Sequence, residues 1–330
     1  MGTKRKLFLA TMLTALIVPS LAMSSIASAS PPRGIPAPQV LASGLEGASG
    51  ATIGPDGALY VAEGKVGKIT RIDTRTGETS TFASGLPKAV FPLGGAIDVE
   101  FVGHTAYVLV TLVGEDVGGT AVDGIYRVDD ADSFTVVADL GEFSRDMPPK
   151  TQFDLPSGVQ FSLEPIRGGF LVSDGHHNRV LKVTRSGEVS ELIAFGNTVP
   201  TGLAATDGTV YLAEAGPIPH APADGKIVKF GIRHPVVKNV AAGFSLLVDV
   251  EFGKHGALYA LSQGDSPGIV PAGSPSLPDS GELLRVKKDG TFAVVVEDLD
   301  LPTSVDIWKD TAYVVTLGGD VLKIRGLSRR

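Results

Sequence analysis

Six carboxylates recur at two kinds of place in this chain. Glu63, Asp174 and Glu214 each end a short apolar run of the type Leu59-Tyr60-Val61-Ala62, while Asp98, Asp249 and Asp306 each stand near the start of another. Six acids gathered around one opening repel one another, so their pKa values rise unless a cation or hydrogen-bond donors neutralise them. A divalent cation, Ca2+ first among them, suits such a set because it takes six to eight oxygen ligands. The same acids could instead accept hydrogen bonds from backbone amides, or act in general acid–base catalysis. Three histidines are candidate ligand-binding groups: His176 and His177 in the turn Asp174-Gly175-His176-His177-Asn178-Arg179, and His220 in a proline-bearing insertion. Neighbouring turn residues point apart, so chelation by His176 and His177 together is not expected. No Gly-x-Ser-x-Gly elbow, His-Glu-x-x-His motif, phosphate loop or dinucleotide fingerprint occurs, and no NAD, FAD or haem is expected.

The elements that must position these groups are read from a repeat. Residues 50–86 contain four strand-like runs cut by turns, among them Pro55-Asp56-Gly57 and Thr76-Gly77. The second run, Leu59-Tyr60-Val61-Ala62, has counterparts beginning at Ala106, Phe170, Val210, Leu258 and Ala312. Each is followed by a third run of similar grammar, from Lys68-Ile69-Thr70-Arg71-Ile72 to Asp320-Val321-Leu322-Lys323-Ile324. Six units of four antiparallel strands predict an all-β fold, a six-bladed β-propeller. The sixth unit lacks a fourth strand, and Gln39-Val40-Leu41-Ala42-Ser43-Gly44-Leu45 matches the missing piece. An N-terminal strand is therefore expected to close the ring, leaving no free sheet edge.

Ahead of that strand, residues 1–29 read as a secretory signal peptide. Lys4, Arg5 and Lys6 form a basic head, residues 7–21 are largely apolar, and Ala27-Ser28-Ala29 is a cleavage site. The apolar run is short for a membrane anchor and is broken by Pro19. Residues 30–38 form a Pro-rich leader, and residues 39–330 a single propeller domain. The expectation is a secreted or extracytoplasmic monomer with no transmembrane segment after cleavage. Losing three cations with the signal peptide takes the formal charge from −7 to −10, which excludes nucleic acid as the expected partner. With no cysteine, the fold has neither disulfides nor thiolate metal sites.

Long insertions mark one face. Residues 112–123, 216–224 and 263–280 lie between second and third strands, and residues 142–155 precede a first strand. These connections share one end of a propeller, and the six acids are expected to ring the axial mouth there. The segment 264–280, rich in Gly, Pro and Ser, is expected to be mobile or to fold over that mouth.

The grammar of Ile53-Gly54-Pro55-Asp56-Gly57-Ala58-Leu59-Tyr60-Val61-Ala62-Glu63 and of Asp174-Gly175-His176-His177-Asn178-Arg179-Val180 resembles NHL-type and gluconolactonase-like propellers, with TolB-like architecture. The order of larger segments resembles the ScyD/ScyE family of exported bacterial propellers over residues 39–324. Those segments are Val40-Leu41-Ala42-Ser43-Gly44-Leu45, Val137-Ala138-Asp139-Leu140, Val199-Pro200-Thr201-Gly202 and Val248-Asp249-Val250-Glu251-Phe252. The resemblance implies the fold and export, and related lactonase propellers hold a divalent metal on the axis. Two functions are expected from these readings. One is an exported propeller binding a small ligand, a cation or an extracellular protein on the loop-bearing face; the other is a metal-assisted hydrolase or lyase acting on a lactone-like or sugar-like substrate.

Overall fold

The computed structural model describes residues 37–270 and 274–328. The expected signal peptide and all but the last two residues of the leader lie outside the described residues. Strands group into six four-stranded antiparallel sheets arranged as a ring, a six-bladed β-propeller. The innermost strands of blades 1 to 6 are Ala48–Ile53, Gly95–Val102, Gln160–Ile166, Val199–Thr206, Leu247–Phe252 and Pro302–Trp308.

Local chemistry sets each blade. In blade 1 the Pro55-Asp56-Gly57 turn has Gly57 at φ 78°, a left-handed conformation that favours glycine, and the Gly57 amide donates to the Gly54 carbonyl at 2.9 Å. The second strands are apolar without alternation because both their faces are covered, one by each neighbouring blade. Leu59–Glu63, Gly169–Asp174 and Leu258–Ser262 are buried at every residue. Six apolar clusters fill the gaps between successive blades. The cluster between blades 6 and 1 joins Tyr313, Val315 and Val321 to Leu59, Val61 and Ile72, with Ala42 and Leu45 among them.

Blade 6 is completed from the other end of the chain. Gln39–Ala42 pairs antiparallel with Val321–Arg325, Gln39 standing opposite Lys323 and Val40 opposite Leu322. The Leu45 amide extends the clasp by donating to the Gly319 carbonyl at 3.1 Å.

The insertion ahead of blade 3 contains a short helix, Leu140–Asp146, not anticipated from the sequence. Asp139 caps it by accepting from the Glu142 amide at 2.7 Å. Among the described residues no helix is long and apolar enough to cross a membrane.

Deleting residues 31–45 should strip the outer strand from blade 6 and expose the third strand's edge. The expected outcome is loss of a single cooperative thermal transition, read by circular dichroism. An unchanged melting temperature would contradict closure by this strand.

Candidate functional site

All six innermost strands contribute to a central cavity of about 340 Å3. Asp98, Asp249 and Asp306 line it, as expected. Beside them stand three acids that the sequence reading missed, Glu100, Glu164 and Glu251. Side chains two apart on a strand share a face, so the pairs Asp98/Glu100 and Asp249/Glu251 were visible in the period-two pattern.

The three aspartates are stitched between blades. Asp98 accepts from its neighbouring Val99 amide at 2.9 Å and from the Leu163 amide of blade 3 at 2.8 Å. Asp249 does the same with Val250 and with Val305 of blade 6, both at 2.8 Å. Asp306 accepts from the Ile53 amide of blade 1, and Glu164 from the Ala205 amide of blade 4 at 2.8 Å.

Burial, reinforced by neighbouring carboxylates and opposed by the amide bonds, pushes Asp98 up to about 8. The same causes bring Glu164 to about 8 and Asp249 to about 7, while burial carries Asp306 to about 6 against the Ile53, Ile307 and Thr52 hydrogen bonds. Glu100 and Glu251, also desolvated and facing other acids, lie well above the ordinary glutamate value.

The expected cation centre would draw on these axial carboxylates. Both oxygens of Asp98 and of Asp249 already accept amides, and among the described residues no three carboxylate or imidazole side chains converge as a metal cluster. The donor set therefore fits hydrogen-bonded inter-blade clasps better than a dedicated ion cage.

Glu63, Asp174 and Glu214 do not line the cavity, correcting the expected six-membered ring. Each lies at or near the end of a second strand, opposite a base at or near the start of the third: Glu63 faces Lys68, Asp174 faces Arg179, and Glu214 faces Lys226. The ion-pair distances are 3.0, 2.8 and 3.2 Å. All three acids are buried, and Glu63 also accepts from the Glu46 amide at 2.7 Å. Burial raises the Glu214 pKa against the charge and hydrogen bond of Lys226, whose Nζ lies 3.2 Å from Oε2.

The histidines divide. His177 is buried at 1% exposure, Nε2 donating to the Leu155 carbonyl at 2.9 Å and Nδ1 lying 3.2 Å from Arg179 Nη2 and 3.1 Å from Asp174 Oδ2. Its ring nitrogens are thus engaged within the protein. Arg179, itself buried, donates to Asp174, to the Met147 carbonyl at 2.6 Å and to Ser144 Oγ at 3.0 Å, so the insertion before blade 3 closes over this turn.

His176 and His220 are the partly exposed pair. The His176 ring lies 6.0 Å from that of Phe161, which lines the central cavity. Burial lowers the His176 pKa and the nearby His220 lowers it further, against the opposing charges of Asp174 and Asp154. Burial likewise lowers His220, against a hydrogen bond to the Ala215 backbone and the charge of Asp224, and its buried Nδ1 has no partner within hydrogen-bond geometry. The Ser266 hydroxyl donates to the His220 carbonyl at 3.0 Å, so loops of blades 3, 4 and 5 meet here. The long blade 5 loop is tied down by Ser266 and Ser276, both buried, with Ser276 Oγ donating to the Gln263 carbonyl at 2.8 Å. Its residues 271–273 lie outside the described residues.

No protein-family model matches the sequence, and no curated protein is similar to it at the sequence level. Solved structures are similar in shape. A gluconolactonase from Xanthomonas campestris aligns with a TM-score of 0.62 at 11% identity, over 91% of this chain and 96% of that one. The PQQ-bound aldose sugar dehydrogenase of Streptomyces coelicolor aligns at 0.60 and 14% identity, over 90% and 99%. Virginiamycin B lyase from Staphylococcus aureus aligns at 0.52 and 11% identity, over 86% and 96%. The likeness is one of fold.

Two outcomes follow from the axial clasps. The cavity acids hold protons in the folded state that the unfolded chain releases. Their contribution to stability is fully present below the ordinary carboxylate pKa near 4 and is lost as pH rises through about 6 to 8. The melting temperature should fall between about pH 5 and about pH 8, and Asp249→Asn should flatten that fall; a melting temperature rising across this window would refute it. Separately, a Cβ at Gly202 would stand 2.2 Å from Asp249 Oδ1 and 2.5 Å from its Cα. Gly202→Ala should destabilise by about 1–3 kcal/mol in denaturant unfolding, with Gly196→Ala, where a Cβ would meet nothing within 4 Å, as the comparison.

Proposed function

We propose that this chain is an exported six-bladed propeller, related to the ScyD/ScyE propellers, that binds a small polar molecule at the loop-bearing mouth through His176 and His220. The observation that carries this reading is the buried, unpartnered Nδ1 of His220 beside the half-buried His176, where three blades' loops meet over the cavity. A buried polar atom without a partner is costly, and a ligand hydroxyl or carbonyl-bearing group would satisfy it. Lowered pKa values keep both imidazoles neutral at pH 7, so each ring has one donor and one acceptor nitrogen, and the Ala215 backbone engages one of His220's. Export rests on the basic head, apolar run and Ala27-Ser28-Ala29 of the first 29 residues.

A second reading is favoured by the same neutrality. An uncharged histidine is a competent general base: it could take a proton from water as that oxygen bonds to a lactone carbonyl, then return the proton to the ring oxygen as the ring C–O bond breaks. The similar folds include a gluconolactonase and a lyase, which supports this reading at the level of the scaffold alone.

The test uses neutral sugars, glucono-δ-lactone and γ-butyrolactone as probes, with melting temperature and proton NMR as readouts. Binding should add stability as RT ln(1 + [L]/Kd), about 2.7 kcal/mol at a hundredfold excess over Kd. The gain should vanish in His176→Ala and His220→Ala. Probes that stabilise those variants as much as the parent, or none that stabilises the parent, would overturn the binding reading. Lactone opening that His220→Ala abolishes establishes the second reading; opening at an unchanged rate in that variant removes it.

A further inference from the structure

Turns between first and second strands, and between third and fourth strands, open at the end of the propeller opposite the long loops. Cations gather there. A cavity of about 480 Å3 around the blade 5 turn at residues 254–256 is lined by Lys229, Lys254, Arg285, Lys287, Lys288 and Lys309, with Asp310 as its one acid. Another of about 840 Å3, between blades 3 and 4, is lined by Arg167, Lys182 and Arg233, with Asp207 as its one acid. The central cavity is the reverse, with six acids and no lysine or arginine. Because the whole chain has 36 acids to 29 bases, this tract reflects placement and not composition.

The protein does not neutralise these cations itself. Among the described residues the ion pairs lie on blades 1 to 4 and involve none of the nine bases lining the two cavities. Asp310 accepts from the Ser328 amide at 2.7 Å, and Asp289, next to Lys287 and Lys288 in sequence, accepts from the Thr291 amide at 3.0 Å and its hydroxyl at 2.6 Å. Two exposed apolar residues stand in the same tract. The turn Arg233-His234-Pro235-Val236-Val237-Lys238 joins the third and fourth strands of blade 4, with Val236 67% and Val237 41% exposed. At its start the Ile232 amide donates to the Gly208 carbonyl at 2.9 Å, beside the cavity between blades 3 and 4. Past its end the Ala242 amide donates to the Gly290 carbonyl at 3.3 Å, next to the Lys287-Lys288 turn. The valines thus belong to the blade that both cationic cavities share.

We propose that this end of the propeller docks on an anionic lipid surface, with Arg233, Lys254, Lys287, Lys288 and Lys309 facing the headgroups and Val236 and Val237 entering the interface. Lysine and arginine near an anionic bilayer are attracted to it over about a Debye length, and aliphatic side chains beside them add the burial of apolar surface. A soluble acidic polymer would engage the cations but gain nothing from two exposed valines. Single-stranded nucleic acid needs open aromatic faces for its bases. Here Tyr259 is 2% exposed, and Tyr211 and Phe252 pack edge to face against each other at 5.2 Å. Docking by this end leaves the mouth with His176 and His220 directed away from the lipid, open to solutes.

The test is flotation of residues 30–330 with vesicles of phosphatidylglycerol and phosphatidylcholine, against vesicles of phosphatidylcholine alone. Starting at residue 30 keeps the apolar run of residues 7–21 from holding the chain to lipid by itself. Binding is expected on the anionic vesicles only. It should be lost on raising salt from about 0.1 M to about 1 M, as the Debye length falls from about 10 Å to about 3 Å. Replacing Lys287 and Lys288 together by Ala should weaken partitioning about tenfold or more, and Lys254→Ala with Lys309→Ala should act alike. Val236→Ser with Val237→Ser should weaken it about threefold to tenfold. Lys65→Ala, in a turn of the loop-bearing face, should bind as the parent does, and every variant should keep the parent melting temperature. A parent that ignores anionic vesicles at low salt, or binds neutral ones equally, would overturn the proposal. So would binding that is indifferent to the valine replacements and fully competed by dextran sulfate, since the face would then serve a soluble polyanion.

Discussion

Everything at the centre of this molecule depends on satisfying backbone amides where six strands crowd onto one axis. Innermost strands of successive blades do not form a continuous ladder, so amides facing the next blade need acceptors from outside their own sheet. Side-chain carboxylates supply them: Asp98 serves Leu163, Glu164 serves Ala205, Asp249 serves Val305 and Asp306 serves Ile53. The acceptor always belongs to one blade and the donor to the next, which makes the axis a set of mutual clasps. The clasping acids end up in a narrow space, and this is why their pKa values rise together.

The same crowding explains why blades differ. Gly50 and Gly202 leave room for the carboxylates of Asp98 and Asp249, which press against them from the following blade. The blades preceding Asp98 and Asp249 thus give up their own side chains at that level. At the loop-bearing face another solution is used, with Glu63, Asp174 and Glu214 neutralised across a turn by Lys68, Arg179 and Lys226. Blades 2, 5 and 6 place Gly124, Glu282 and Val321 at the corresponding start of the third strand, and none of these is a base.

The fold was legible because its signals are local and repeated: turn residues, buried second strands such as Leu59–Glu63, and one strand missing at Ile324 and present at Gln39. The site was legible in part. Asp98, Asp249 and Asp306 do meet on the axis, and Glu100 and Glu251 were readable from alternation alone. Their partners were not, because the Leu163 amide that holds Asp98 belongs to another blade and carries no side-chain signature. The fate of Glu63, Asp174 and Glu214 was written five to twelve residues downstream, in the base across each turn. His177 lies in a turn that looks exposed by sequence; it is buried because residues 140–155 pack over it, a tertiary event without local pattern.

The clasp between Gln39–Ala42 and Val321–Arg325 has a further consequence for how the chain comes into being. Synthesis is vectorial, so Gln39–Ala42 waits for Val321–Arg325 before it finds its partner. Contacts of such long sequence separation carry a large loop-closure entropy and slow the final step of folding. Five blades can form in order as they appear, each a local meander, while the sixth waits for residues 321–325 to meet residues 39–42. A chain cut short anywhere before residue 321 cannot close its ring, and its unpaired edges mark it as incomplete.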